Sequence, residues 1–153
     1  MCKTRRTSSV NRIRKQVNDI HVQGRPDAFR EDGWQFIEPF LYTRFDEENS
    51  EIIVAAIQDE IVGFAVVQYI VRAETPFSKE RRYLHIEELG VDESHRRKGI
   101  AAAIMDFIKE NAKKRGFHRM ELDVWEFNDG ALAFYESIGF KTYRRYMESD
   151  AEE

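Results

Sequence analysis

The chain has 153 residues, 42% of them hydrophobic and 34% charged, with a formal net charge of -4 at pH 7. That is enough apolar material for one domain with its own core, and too much for a disordered chain. The acidic balance argues against a broad nucleic-acid face, no apolar run nears the roughly 18 residues of a membrane span, and the single cysteine, Cys2, excludes an internal disulfide or a Cys-rich metal site.

A reducing cytoplasm is the expected location, and the opening residues lack the apolar core of a secretory signal. Charge is uneven along the chain. Residues 1–16 hold six cations (Lys3, Arg5, Arg6, Arg12, Arg14, Lys15) and no acid, while "ESDAEE" at the end is acidic. Residues 1–8 and 148–153 are expected to be solvated and frayed around a single domain spanning 1–153.

Val10, Ile13, Val17 and Ile20 recur at helical spacing, which predicts an amphipathic helix over 9–21. Gly24 and Pro26 break it in "HVQGRPDAF". The aromatic run 33–45 predicts a short helix interrupted near Pro39. "EIIVAAI" (51–57) and "IVGFAVVQYIV" (61–71) are β-branched runs joined by "QDE", the pattern of an antiparallel hairpin. After a polar loop at 74–82, "YLHIEELGV" (83–91) predicts a third strand. A helix is expected over about 100–115, with Ile100, Ile104, Phe107 and Ile108 on its apolar stripe and Gly116 as its stop. "RMELDVW" (119–125) alternates as a strand, Asn128 caps a helix over about 129–138 that Gly139 ends, and "FKTYRRYM" (140–147) closes as a last strand. This order predicts an α/β fold, with helices on both faces of a mixed, mostly antiparallel sheet.

The segment "HRRKGIAAAI" (95–104) sets three cations and a glycine against a helix start. Free backbone N–H groups there, with Arg96, Arg97 and Lys98 beside them and Gly99 for close approach, suit a phosphate; Ala101, Ala102 and Ala103 leave room for it. Read alone, the same segment also fits a solvated basic loop. A Walker-type G-x-x-x-x-G-K-[ST] and a G-x-G-x-x-G are both missing from the sequence.

Arg96-Arg97-Lys98-Gly99-Ile100-Ala101 resembles the pyrophosphate signature Gln/Arg-x-x-Gly-x-Gly/Ala of the GNAT superfamily of N-acetyltransferases. "NDGALAFYESIGF" resembles that family's second motif at Asn128, Ala131, Tyr135, Gly139 and Phe140. The two motifs stand in family order, and the resemblance covers about 50–147. It implies a central sheet with a V-shaped splay. Family members open with a strand ahead of the first helix, but "MCKTRRTSS" has no apolar alternation. A missing first strand would expose its neighbour, 51–57, so either residues 3–8 pair despite their polarity or something else covers that edge.

The resemblance further implies acyl transfer from acetyl-CoA to an amine acceptor, and a homodimer as a common assembly. The cofactor's pyrophosphate would lie on residues 96–101, with Ala102 alongside, and its pantetheine arm would pair with the main chain of Leu89, Gly90 and Val91. Gly90 would supply the bulge that splays the strand. An alkylammonium must lose a proton before it attacks, so a base is useful. Glu87 is preferred for that role and His85 is its backup, both expected on one face with Leu89 and Val91 while Glu88 points away. Each also reads as an ordinary polar residue of a half-buried strand. Tyr135 would protonate the leaving thiolate, and Asn128 would touch the cofactor arm; their positions equally fit core packing and an N-cap. On the acceptor side, the resemblance points to the first two helices and their loop, with Asp19, His21, Arg25, Asp27 and Trp34 as polar or aromatic candidates. The alternatives to an enzyme are a catalytically silent CoA-binding sensor and an interaction module whose basic loop meets an acidic partner.

Overall fold

The computed structural model describes residues 3–37 and 39–152; Met1, Cys2, Glu38 and Glu153 lie outside the described residues, and with them the expectation about Cys2. The chain divides into two compact units, 1–123 and 124–153.

The first unit opens with helix α1, Lys3–Gly24. Residues 3–8 are therefore helical rather than an edge strand. Val10 and Ile13 are buried on one stripe of α1, and Thr7, Asn11 and Arg14 are buried beside them. Two short helices follow, α2 (Trp34–Ile37) and α3 (Phe40–Phe45), on either side of Pro39. Proline lacks the N–H that would carry one helix through.

Four strands make the sheet, in the order β1-β2-β3-β4. Strands β1 (Ser50–Ile57) and β2 (Glu60–Arg72) form an antiparallel hairpin whose two-residue turn, Gln58–Asp59, has positive φ at both positions. That conformation matches the right-handed twist of the strands it joins. Strand β3 (Arg81–Val91) pairs antiparallel with β2, and β4 (Met120–Leu122) pairs parallel with β3. The sheet is mixed and mostly antiparallel, as the element order implied. Strand β1 is its free edge, with no strand beyond it among the described residues.

Helix α4 (Ile100–Lys114) covers one face. Its buried stripe is Ile104, Met105, Ile108 and Ala112; Phe107, expected on that stripe, is 53% exposed. Gly116 ends the helix in the left-handed region at φ 80°, and the N–H of Phe117 returns to Ala112 O at 2.8 Å. The opposite face carries α1 and α3 over a cluster of Val10, Ile13, Leu41, Ile61, Phe64 and Val66.

Two glycines let the helices come close. A Cβ on Gly63 would stand 3.0 Å from Ile100 and Ile104 of α4. A Cβ on Gly90 would stand 2.7 Å from the Phe64 ring and 3.0 Å from Ile13 of α1. Gly90 is thus a close-approach glycine on a regular stretch of β3, paired with Phe64, and not the bulge. The bulge lies three residues earlier. Val66 pairs with Glu88 and Val67 with Ile86, so Glu87 is the extra residue.

The second unit holds α5 (Asp129–Ser137), capped by the Asn128 side chain, which accepts the N–H of Ala131 at 3.2 Å. Gly139 ends it at φ 100°. Residues 140–147 form no strand. Their aromatics, Phe140, Tyr143 and Tyr146, recur every third residue rather than every second, and Tyr143 and Tyr146 are exposed.

Gly90→Ala should destabilise the protein by about 1–3 kcal/mol, because the buried Phe64 ring has no room to yield. Chemical denaturation of the two proteins side by side checks this; equal midpoints would mean that α1 does not depend on the close contact.

Candidate functional site

The site begins with the bulge. Before it, Leu84 and Ile86 face α4 with their partners Tyr69 and Val67; after it, Leu89 and Val91 do so opposite Ala65 and Gly63. His85, Glu88 and Gly90 face the α1/α3 side, and so does the extra residue, Glu87, whose side chain meets Arg44 of α3. His85 and Glu87 share a face as expected, but they share it with Glu88 and Gly90 and not with Leu89 and Val91. The one-residue insertion reverses the alternation.

Each carboxylate is held by a guanidinium. Arg14 of α1 grips Glu88 with both arms of its fork, Nε to Oε2 at 2.8 Å and Nη2 to Oε1 at 2.9 Å. Arg44 donates from Nη2 to Glu87 Oε1 at 2.9 Å and from Nη1 to Glu47 at 2.5 Å. Phe40 lies by both cations, its ring centroid 4.7 Å from the Arg44 guanidinium carbon and 5.7 Å from that of Arg14. Burial pushes the Glu87 carboxyl above the usual range, and Arg44 and then His85 oppose that shift. Glu87 Oε2, Arg44 Nε and Asn18 Nδ2 are buried polar atoms with no hydrogen-bond partner.

The backbone of β3 presents a second feature. The Asp92 N–H bonds Val62 O at 2.8 Å, so by alternation Gly90 turns its polar groups to β2 while Leu89 and Val91 turn theirs outward. Strand β4 reaches only to the Ile86–Leu122 pair. Among the described residues no strand pairs with the outward groups of Leu89 and Val91, and Arg96 Nε donates to Val91 O at 3.4 Å. Gly90, expected to share in those outward groups, does not.

The chain then turns through Asp92 into α4. Asp92 is buried and accepts the Ser94 N–H at 3.1 Å, the Ser94 hydroxyl at 3.0 Å and an arm of Arg12. Burial would raise its carboxyl, but these three donors together hold it down to about 2. Arg96, Arg97, Lys98 and Gly99 follow, all exposed, and Arg97 and Gly99 have φ of 62° and 78°. The N–H of Ala103 closes on Gly99 O at 3.0 Å. Those of Ile100, Ala101 and Ala102 find no backbone acceptor among the described residues. A helix of 15 residues thus starts with three free donors beside three exposed cations.

The acceptor-side candidates have these partners in the structure. Arg25 forks onto Asp27 at 2.8 and 2.7 Å within one turn. His21 bonds Val17 O through Nδ1 at 2.9 Å and packs on Phe29. Asp19 pairs with Lys15 at 3.1 Å. Trp34 lies by the carboxylate cluster, with the Arg14 guanidinium 5.9 Å from its ring centroid. In the second unit, Tyr135 packs its ring near Phe134 and Phe140, and burial pushes its phenol up to about 12.

A bulge in β3, outward-facing backbone groups just after it and a basic helix start follow one another within 87–103 of the first unit. Residues 14–140 match the acetyltransferase (GNAT) family, and the chain belongs to it. The chain is 33% identical to human N-acetyltransferase 8 over 95 residues, 62% of this chain and 40% of that protein. It is 30% identical to the [ribosomal protein bS18]-alanine N-acetyltransferase of Escherichia coli over 98 residues, 61% of this chain and 60% of that one. The matched segments thus span less than two thirds of these curated relatives. A crystal structure of a point mutant of the BH1408 protein from Bacillus halodurans superposes with a TM-score of 0.89 at 30% identity, covering 94% of this chain and 92% of that one. Among the described residues, no helix is long and apolar enough to cross a membrane.

Asp92→Asn should make the protein less stable at pH 7 and flatten its acid response. The native carboxyl titrates near 2 against an ordinary 3.8, so its stabilisation is full above about pH 4 and is lost as pH falls from about 4 to about 2. Urea titrations at pH 7, 4 and 2.5 read this directly; parallel curves for the two proteins would remove Asp92 from the acid transition.

Proposed function

We propose that this chain is an N-acetyltransferase that moves the acetyl group of acetyl-CoA to a primary amine of a small molecule or a protein. The observation that carries the reading is the start of α4, where free N–H groups, Gly99 and three exposed cations are adjacent in the chain. A pyrophosphate suits that helix start in charge. The outward backbone groups of Leu89 and Val91 support the reading, since the amide groups of a pantetheine arm would pair there as a strand does.

In this mechanism Glu87, directly or through water, takes one proton from the acceptor ammonium; His85 is the second choice for that role. The neutral amine attacks the thioester carbonyl carbon. A C–N bond forms and the C–S bond breaks, and the thiolate leaves with its electron pair. A backbone N–H near Leu89 would stabilise the carbonyl oxygen as it gains charge. The thiolate takes the phenol proton of Tyr135, which the second proton of the amine replaces, so one proton goes to solvent overall. A phenol raised by burial stays protonated through the neutral range and is ready to donate. Asn128 caps α5, and a contact with the cofactor arm is proposed for it on the family motif alone.

Two variants test the reading. Acetyl-CoA at about 100 times its Kd should stabilise the wild-type protein by about 2.7 kcal/mol, read as a rise in Tm. Gly99→Glu, which adds negative charge at a left-handed position, should weaken acetyl-CoA binding roughly tenfold or more by calorimetry. No Tm shift at millimolar acetyl-CoA would sink the binding site. Tyr135→Phe should lower turnover about a hundredfold with acetyl-CoA affinity nearly unchanged, measured by thiol release and by titration. Turnover equal to wild type at every pH would leave Tyr135 a packing residue.

A further inference from the structure

We propose that Arg44 is a positioning residue for Glu87, bonding Oε1 and leaving Oε2, buried in the acceptor-free protein, with no protein donor to displace when the carboxylate takes up a proton. This rests on the reading of Glu87 as the base. The argument comes from comparing two neighbours. Glu88 has both oxygens occupied by the full fork of Arg14. Glu87 has one oxygen bonded to Arg44 Nη2, while its Oε2 and the Arg44 Nε have no partner. The same two residue types, at adjacent positions of one bulge, make one complete fork and one half-made fork. A carboxylate with both oxygens bridged by a guanidinium is a poor base, because protonation must break a charge-assisted bond. Glu87 is not so closed.

Arg44 is itself held. Its Nη1 donates to Glu47 at 2.5 Å, and Glu47 accepts in addition from Ser50 at 3.0 Å and Gln68 at 3.3 Å. Phe40 lies against the guanidinium, and only 16% of the Arg44 side chain is exposed. The Glu87 side chain is 15% exposed. Ionising a carboxylate at such a site is unfavourable without a nearby cation. The charged or titratable groups that face Glu87 are Arg44 from α3, Glu47 from the turn after it, and His85 and Glu88 from β3. Arg14 from α1 offsets Glu88. Arg44 is the one that bonds the carboxylate. It works against the burial that raises the Glu87 carboxyl, and it in turn is tied to Glu47.

The test is the pH dependence of kcat/KM for thiol release from acetyl-CoA. The acceptor is the best substrate among an alanine-initiated peptide, a linear polyamine, an arylethylamine and an aminoglycoside. Wild type is compared with Glu87→Gln, Arg44→Met and Arg44→Lys. Glu87→Gln should abolish the acidic limb. Arg44→Met should keep that limb but move it to higher pH, since a buried base without its cation loses its proton later. Its rate at the acidic end should fall roughly tenfold more than its plateau rate. Arg44→Lys should return part of the limb's position. A limb that Glu87→Gln removes but Arg44→Met leaves in place would overturn the role of Arg44 while sparing the base. A limb that survives Glu87→Gln would remove the base itself, and no turnover with any of the four amines would remove the enzyme reading; either result takes this inference with it. Carboxyl 13C NMR titration of Glu87 in the acceptor-free protein needs no turnover. Its midpoint should rise in Arg44→Met, and an unmoved midpoint overturns the proposal even if that variant is too unstable for kinetics.

Discussion

The insertion of Glu87 into β3 switches which residues of that strand face each side. Upstream, even-numbered side chains face α4; downstream, odd-numbered ones do. Two carboxylates, Glu87 and Glu88, therefore land together on the α1/α3 side. The pairing with β4 stops just before the insertion, at Ile86. Beyond it, no strand among the described residues pairs with the outward backbone of Leu89 and Val91. A regular β3 would have sent Glu87 and Glu88 to opposite faces.

Two neighbouring carboxylates on a half-buried surface repel each other and resist ionisation unless cations meet them. The helices supply those cations. Helix α1 carries a buried polar stripe of Thr7, Asn11 and Arg14 beside its apolar one, and Arg14 takes Asn11 Oδ1 at 3.2 Å as well as Glu88. Helix α3 supplies Arg44. Phe40 lies beside both guanidinium groups, giving each a flat apolar neighbour. Packing of α1 and α3 and electrostatics of the bulge are thus coupled.

Much of this was legible in the sequence, for identifiable reasons. Glycine and proline marked the ends of α4 and α5 and the break at Pro39, because their conformational limits act locally. The basic helix start at 96–101 was legible because its residues are contiguous. The bulge was not, since an inserted residue in "HIEELGV" leaves no compositional trace, and Gly90 drew the assignment that belonged to Glu87. Arg14 and Arg44 were missed for a related reason. Their partners lie 74 and 43 residues away. One signal was present in the sequence: Arg14 follows Val10 by four residues, which puts a cation on the buried side of α1. The strand expected at 140–147 rested on its aromatic content, although the spacing of those aromatics is three.

The free edge of β1 has a consequence for how the sheet breathes. The N–H of Tyr69 bonds Asn49 O at 2.7 Å, so by alternation Glu51, Ile53 and Ala55 turn their amides toward β2, while Ile52 and Val54 turn theirs to solvent. Amide hydrogens of sequence neighbours in one strand then exchange with deuterium on separate timescales, those of Ile52 and Val54 within the dead time of a manual experiment and that of Ile53 only when the hairpin opens. A sawtooth of fast and slow amides along residues 51–55 is the exchange pattern expected of a β1 with no strand beyond it among the described residues.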